Sequence, residues 1–314
     1  MPIVDERSLL QEALAEIRAI RHELLASHAA ARLFATDLLF TRQPRDPKHI
    51  VQVATHAYSQ NYEDAIIAEI YNRIGEKSRV FVEIGIETGT ECNTRALLEC
   101  GWTGLWIDAN SAAIAVAKSN MAPFVESGAL KIIEALVTKN NVQEILFRHI
   151  RNTPIDFLSV DVDYNTSHIW RAITNSARVS CIEYNAAFPP TVEWEVPYDP
   201  SEVWDGTNRF GASLKTLERI GRQKGDALVG CDFHGVNAFF VEENECREKF
   251  LTPYTAEQHF EPPRYALGWH RGHPANPKAV NPTSKRVATP QLVDVVAEHG
   301  NPMGANELKD PAKD

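Results

Sequence analysis

Five short apolar runs, each followed by a helical pattern, leave this chain little choice of fold. The runs are Val80–Ile84, Gly104–Ile107, Leu130–Glu134, Ile155–Val160 and Val179–Glu183. Near-continuous apolar character over five or six residues is what a strand needs when both of its faces are covered. Between them lie Thr94–Glu99, Ser111–Ser119, Asn141–Ile150, Ile169–Ala177 and Ser213–Lys224, whose apolar residues recur at helical spacing. Such alternation predicts an α/β fold built on a mostly parallel sheet. Two further runs, Ala227–Cys231 and Ala238–Val241, follow with no room for a helix between them. They predict an antiparallel hairpin closing the edge of a seven-stranded sheet.

The flanks divide the chain into parts. Leu9, Leu10, Ala13, Leu14, Ile17, Ile20, Leu24 and Leu25 predict an amphipathic N-terminal helix over about 5–40. It serves either as a homodimer interface or as a helix packed on its own domain. A Pro-containing linker, Gln43–Lys48, ends a first segment of 1–45. The core domain is expected over 46–273, opening with a helix over Tyr58–Ile74. Residues 274–314, rich in Pro, Asn and Lys, read as a mobile tail with a short helix near Gln291–His299. Asn185–Phe210 (residues 185–210) carries Pro and aromatic residues after a strand end, where α/β proteins place substrate contacts.

Charge and cysteine use narrow the function. The formal net charge of −10 over 314 residues argues against binding a phosphate backbone, so no nucleic-acid partner is expected. No apolar run is long enough to span a bilayer, and the N-terminus lacks the basic start and apolar centre of a signal peptide. A cytoplasmic protein with a small-molecule or glycan partner is the resulting expectation. Five scattered cysteines form no C-x-x-C pair and indicate neither zinc nor a disulfide framework.

The richest motif is Val80-Phe-Val-Glu-Ile-Gly-Ile-Glu-Thr-Gly-Thr. Gly85 and Gly89 follow the first sheet strand, where glycine allows a tight turn and close approach of a ligand. Asp108 ends the second strand, placed to accept two hydrogen bonds from a ribose. Thr90 and Glu91 stand where a dinucleotide fingerprint would continue, and Glu87 and Glu91 would repel a pyrophosphate. A cationic nucleoside cofactor, S-adenosyl-L-methionine with its sulfonium and ammonium, suits these carboxylates better than NAD. The cofactor set is therefore Glu83, Gly85, Glu87, Gly89, Asn93, Asp108, Ala135 and Asp161.

On the acceptor side, Asp161 and Asp163 end the fourth strand on one face, and Glu183 ends the fifth. All-oxygen ligands favour Mg²⁺ or another divalent cation such as Ca²⁺ or Mn²⁺. The alternative has Asp161 on the methionine part and Asp163 capping a turn. Base candidates for catalysis are His168 and His234, with Asp161 beside them, although a lone histidine is more often structural. His270 and His273 read as a solvated loop.

The segments Tyr58-Ser-Gln-Asn-Tyr-Glu-Asp, Phe81-Val-Glu-Ile-Gly, Glu91-Cys-Asn-Thr, Gly101-Trp-Thr-Gly-Leu-Trp-Ile-Asp, Asp156-Phe-Leu-Ser-Val-Asp-Val-Asp, Cys181-Ile-Glu-Tyr-Asn-Ala and Asn237-Ala-Phe-Phe-Val run through residues 58 to 242. Together they resemble the FkbM-like class I methyltransferases. The resemblance implies a Rossmann-like sheet with an antiparallel edge hairpin, S-adenosylmethionine as donor, and O-methylation of a sugar or natural-product hydroxyl. The chain departs from the family at Glu87, usually Gly, and at Tyr164, Thr166 and His168, where the family usually reads Gly, Asp and Trp nearby. These changes leave two other classes open: a protein that binds the cofactor for other chemistry or as a scaffold, and an NAD-dependent sugar-modifying enzyme. Tyr58–Asp64 is either a lid over the cofactor or a helix start capped by Ser59.

Overall fold

The computed structural model describes residues 46–51, 57–175 and 177–265, together with parts of the N-terminal segment between 13 and 35. The expected tail helix near Gln291–His299, His270 and His273, and the first half of the linker, 43–45, lie outside the described residues. The N-terminal residues that are described are helical, and Leu14, Ile17, Ile20 and Phe34 among them are exposed.

Seven strands form one sheet: β1 (Val80–Ile84), β2 (Thr103–Asp108), β3 (Leu130–Glu134), β4 (Ile155–Val160), β5 (Ala177–Glu183), β6 (Asp226–Cys231) and β7 (Asn237–Glu242). Their spatial order is β3-β2-β1-β4-β5-β7-β6. The first five are parallel, and β7 runs antiparallel between β5 and β6. The expected strands are all present, each within two residues of its expected ends. β7 is the inner member of the edge hairpin, so β6 is the edge.

Alternating side chains feed two apolar layers. Phe81, Trp106, Phe157, Val179 and Phe239 point to one face, under α1 (Glu63–Ile74), α2 (Arg95–Glu99) and α3 (Ser111–Asn120). A short α4 (Ala122–Glu126), opened by Pro123, follows α3. Val82, Ile84, Leu158, Val160, Ile182 and Phe240 point to the other face. That face is covered by α5 (Val142–Ile150), α6 (Thr166–Ala172) and α7 (Leu214–Lys224).

Three expected boundaries move, each for a local reason. α1 begins at Glu63 rather than Tyr58, because Tyr62 adopts φ 69° and cannot continue a helix backwards. Upstream, the Asp64 carboxylate accepts from the backbone of Ala57, Tyr58 and Ser59, and Ser59 Oγ accepts from Asp64 N. α6 begins three residues early, at Thr166, and ends at Ala172, where Ile173 turns extended (ψ 115°). All five cysteines are free, and only Cys100 is exposed.

Candidate functional site

The parallel order reverses between β1 and β4, and the crevice beyond the carboxyl ends of strands at such a point is where open α/β sheets hold ligands. There the chain after β1 and the chain after β4 touch. Gly85 takes φ +88°, and a Cβ on it would lie 1.5 Å from the carbonyl oxygen of Asp161. Gly89, at φ +73°, is confined differently: its missing Cβ leaves room for the Trp106 ring at 2.8 Å. Both glycines are thus required by the protein's own packing.

The carboxylates of the motif are also engaged. Glu83 is buried and accepts from the backbone of Asn93 and Thr94 and from the Thr94 hydroxyl, fixing the start of α2. Burial pushes its pKa up to about 7 despite these bonds. The Asn93 amide donates to Ser159 Oγ at 3.0 Å, tying the turn to β4. Asp108 Oδ2 accepts from Ile86 N at 3.0 Å and Glu87 N at 2.8 Å, and Oδ1 accepts from Asn110 N. It shapes the glycine turn directly. Ala135 N donates to the Asp108 carbonyl at 2.8 Å, which places Ala135 beside that strand end, followed by the exposed Leu136.

Asp161, Asp163 and Glu183 come together. Their ligand oxygens lie within 4.8 Å of one another, the one such group of His, Cys, Asp and Glu among the described residues. Asp163 opens a 3₁₀ turn, Asp163–Asn165, at φ +56°, a conformation that costs a non-glycine residue about 1 kcal/mol or more. Burial and the neighbouring carboxylates push Asp161 up to about 6 and Asp163 up to about 7, with Glu87 contributing to the latter across the crevice. Burial, then Asp161 and Asp163, raise Glu183 well above the carboxylate range, and a carboxyl–carboxyl hydrogen bond joins it to Asp161.

Two acids outside the expected set extend this group. Glu63, fully buried at the start of α1, accepts from Asn237 Nδ2 at 2.9 Å. Asp232 accepts from the backbone of His234, Val236 and Asn237 and so forms the β6–β7 turn. Burial and Glu63 push Asp232 up to about 8. Glu63 lies in a segment of the family resemblance, whereas Asp232 lies only in the short turn expected between the last two apolar runs.

The histidines are placed apart from the carboxylate trio. His168 Nε2 is 2.8 Å from the Val196 carbonyl, and its ring meets Tyr198 edge-on. It pins the 185–210 insertion to α6. His234 is fully buried in the hairpin turn, stacked on Tyr62 with centroids 5.6 Å apart, its Nδ1 3.8 Å from Asp232 Oδ1. Residues 57–62 therefore run from the start of α2, where Arg95 sits over the Tyr58 ring, to the β6–β7 hairpin. The N-cap position is Tyr62 and not Ser59, whose Oγ accepts from the backbone of Asp64, the second residue of α1.

No family model matches the chain, and no curated protein matches it. Solved structures similar to it include a putative caffeoyl-CoA O-methyltransferase from Staphylococcus aureus, at 14% identity and TM-score 0.32, covering 48% of this chain and 72% of that one. A TehB-like SAM-dependent methyltransferase from Corynebacterium glutamicum aligns at 12% identity and TM-score 0.34, covering 58% and 88%. An O-methyltransferase family protein from Burkholderia thailandensis aligns at 10% identity and TM-score 0.36, covering 58% of each chain. Likenesses this distant carry no argument about the chemistry, which rests on the chain's own strand order and on the residues at its carboxyl edge.

Proposed function

We propose that this chain is an S-adenosylmethionine-dependent O-methyltransferase whose acceptor is a polyhydroxyl compound such as a sugar or glycan. The observation that carries the reading is the excess of carboxylates at the switch point. Glu83 and Glu183 end β1 and β5 and Asp161 and Asp163 follow β4 between them, with Glu63 and Asp232 behind, and among the described residues no Lys or Arg forms an ion pair with Glu63, Glu83, Asp161, Asp163 or Asp232. Buried like charges raise one another's pKa, and a cation relieves them. A sulfonium bearing a free ammonium is such a cation, whereas a pyrophosphate would add to the repulsion. The glycine turn and Asp108 would hold its nucleoside part, with Glu87 at the turn's apex facing Asp163.

The trio also fits a divalent cation. Two oxygens on one ion at about 2.1–2.6 Å stand up to roughly 5 Å apart. Three oxygens within 4.8 Å meet that limit. Asp161, Asp163 and Glu183 would hold the ion, which would supply Lewis acidity toward a pair of acceptor hydroxyls. The cofactor supplies an electrophilic methyl carbon.

The chain's own part is positioning and proton transfer. As the new C–O bond forms and the C–S bond breaks, the acceptor oxygen must lose its proton to a base. Where no cation is bound, Asp163, pushed up to about 7, is matched to that task at neutral pH; as a ligand of the ion it would instead orient the acceptor hydroxyl that the ion acidifies. His168 and His234 are already committed to Val196 and to the Tyr62 stack. Insertion 185–210 excludes water and selects the acceptor.

Calorimetry of the folded protein with S-adenosylhomocysteine tests the cofactor. Binding in the micromolar range is expected, and NAD should give no heat. Absence of S-adenosylhomocysteine binding would sink the reading.

A further inference from the structure

The insertion between β5 and α7 is acidic. Between residues 184 and 213 it holds Glu193, Glu195, Asp199, Glu202 and Asp205, and a single basic residue, Arg209. That arginine is held against the site by its backbone. The Asn185 side-chain amide, two residues beyond Glu183, donates to the carbonyls of Asn208 at 2.7 Å and Phe210 at 2.9 Å. Next along, Gly211 adopts φ +54°, and a Cβ there would stand 3.4 Å from the Asp163 carbonyl oxygen. Residues 208–211 are therefore wedged between the chain after Glu183 and the chain at Asp163.

The half-buried Arg209 side chain follows the same path. Its Nη2 donates to the Tyr164 hydroxyl at 2.9 Å, and its guanidinium lies over the Tyr164 ring at 5.6 Å. Tyr164 directly follows Asp163. Asp199, Glu202 and Asp205 are near enough to act on the Tyr164 phenol. Yet among the described residues no carboxylate lies within 4.0 Å of Arg209, while Glu193 pairs with Arg219 and Glu195 with Arg171. Asp199 and Asp205 accept instead from Ser201 and Thr207 in local turns.

A guanidinium has five N–H donors in a planar fork suited to two oxygens of one anion. Arg209 gives one side-chain bond to Tyr164 and keeps the rest. A neutral polyol would not call for a permanent cation there, at the cost of half-burying it without a paired carboxylate. We infer that Arg209 is a specificity residue that binds an anionic oxygen group, carboxylate or phosphoryl, on the methyl acceptor. The acceptor is then an acidic polyhydroxyl compound, a uronic acid or a sugar phosphate unit, with its hydroxyls toward Asp161 and Asp163 and its anion on the insertion. This rests on the methyltransferase reading above, and names its substrate class.

The test is calorimetry on the full chain saturated with S-adenosylhomocysteine and Mg²⁺, with D-glucuronate, D-glucose 6-phosphate and D-glucose as probes. One acidic sugar should bind at least about tenfold more tightly than glucose. Which of the two does so separates carboxylate from phosphate. R209M should abolish that preference while leaving S-adenosylhomocysteine affinity and the thermal midpoint unchanged. R209K should weaken it partially, keeping charge but losing the fork. Should R209M fail to fold, R209K and Y164F carry the comparison, the latter freeing the guanidinium and leaving the preference intact. Acidic sugars binding no better than glucose, or R209M weakening all three probes alike, overturns the inference. Loss of S-adenosylhomocysteine binding in the wild type would instead indict the cofactor reading.

Discussion

Replacing Asp163 with Asn should stabilise the metal-free protein at alkaline pH and do little for it in acid. Asp163 is half-buried within 4.8 Å of Asp161 and Glu183, and burial, then Asp161 and Glu87, push its pKa up to about 7. A carboxyl raised by folding keeps its proton in the folded chain where the unfolded chain has lost it. The associated stability is complete below the unfolded value of about 3.8 and is lost as pH rises through about 7. Taken alone, that rise corresponds to about 4 kcal/mol of ionisation penalty at pH 8. Partial exposure and sharing of protons among the three groups reduce this to roughly 1–3 kcal/mol. Asn removes the penalty and tolerates the φ of +56° at least as well as Asp. Urea unfolding in EDTA should therefore show D163N more stable than wild type at pH 8 and nearly equal at pH 4.5. Millimolar Mg²⁺ should raise the wild-type midpoint at pH 8 and leave that of D163N unmoved. A variant less stable than wild type at pH 8, with no response of either protein to Mg²⁺, would refute the account of three mutually repelling carboxylates.

Other substitutions probe separate elements. G85A should lose several kcal/mol, on the order of 3 or more, because its Cβ would stand 1.5 Å from the Asp161 carbonyl oxygen; chemical denaturation reads this directly. E87G should gain up to about 1 kcal/mol by relieving φ +46° and yet weaken S-adenosylhomocysteine binding in calorimetry, since it removes a carboxylate from the site proposed for the ligand's ammonium group. D108N should lower both the thermal midpoint and cofactor affinity, because Oδ2 holds the Ile86 and Glu87 amides. H168A should leave cofactor affinity unchanged while exposing the 185–210 insertion to limited proteolysis, since the Val196 bond is lost.

The sheet was legible because strands buried on both faces must be apolar throughout, and Val80–Ile84 through Val179–Glu183 show little else. The hairpin was legible because five residues between β6 and β7 cannot hold a helix. Helix ends were less so. Thr166 and Ser167 carry no apolar signal, yet they begin α6 because the 3₁₀ turn at Asp163 feeds into it. In the site, strand-end alternation was expected to place Asp161 and Asp163 on one face, but both follow β4 and it is the 3₁₀ turn at Asp163, φ +56°, that sets it beside Asp161 and Glu183. The engagement of His168 with Val196 could not, because it depends on where a long insertion folds back. Arg209 was invisible for the same reason: its meaning comes from Asn185 and Tyr164, which lie 24 and 45 positions away.

The glycine turn, the most recognisable motif in the sequence, is weaker evidence for a ligand than it first looks. Gly85 is demanded by Asp161, Gly89 by Trp106, and Asp108 is occupied by the turn it shapes. A chain with no cofactor would need all three to close this sheet edge. The acids beyond β4 and β5 stand differently: Asp161 bonds to Glu183 and to the Asp163 backbone, and Glu183 also to Thr166, yet all three keep raised pKa values. Burial and nearby carboxylates hold Asp161, Asp163 and Glu183 above the ordinary carboxylate range, and Asp163 adds backbone strain, so ionising the cluster opposes the fold that contains it. Selection for stability alone would replace any of them by Asn, Gln or an apolar residue. The cost has a use only when something positively charged comes to the crevice, and Glu87 faces the same space from the turn. It is this destabilising group, more than the familiar turn beside it, that argues for a cationic cofactor and a metal-assisted acceptor.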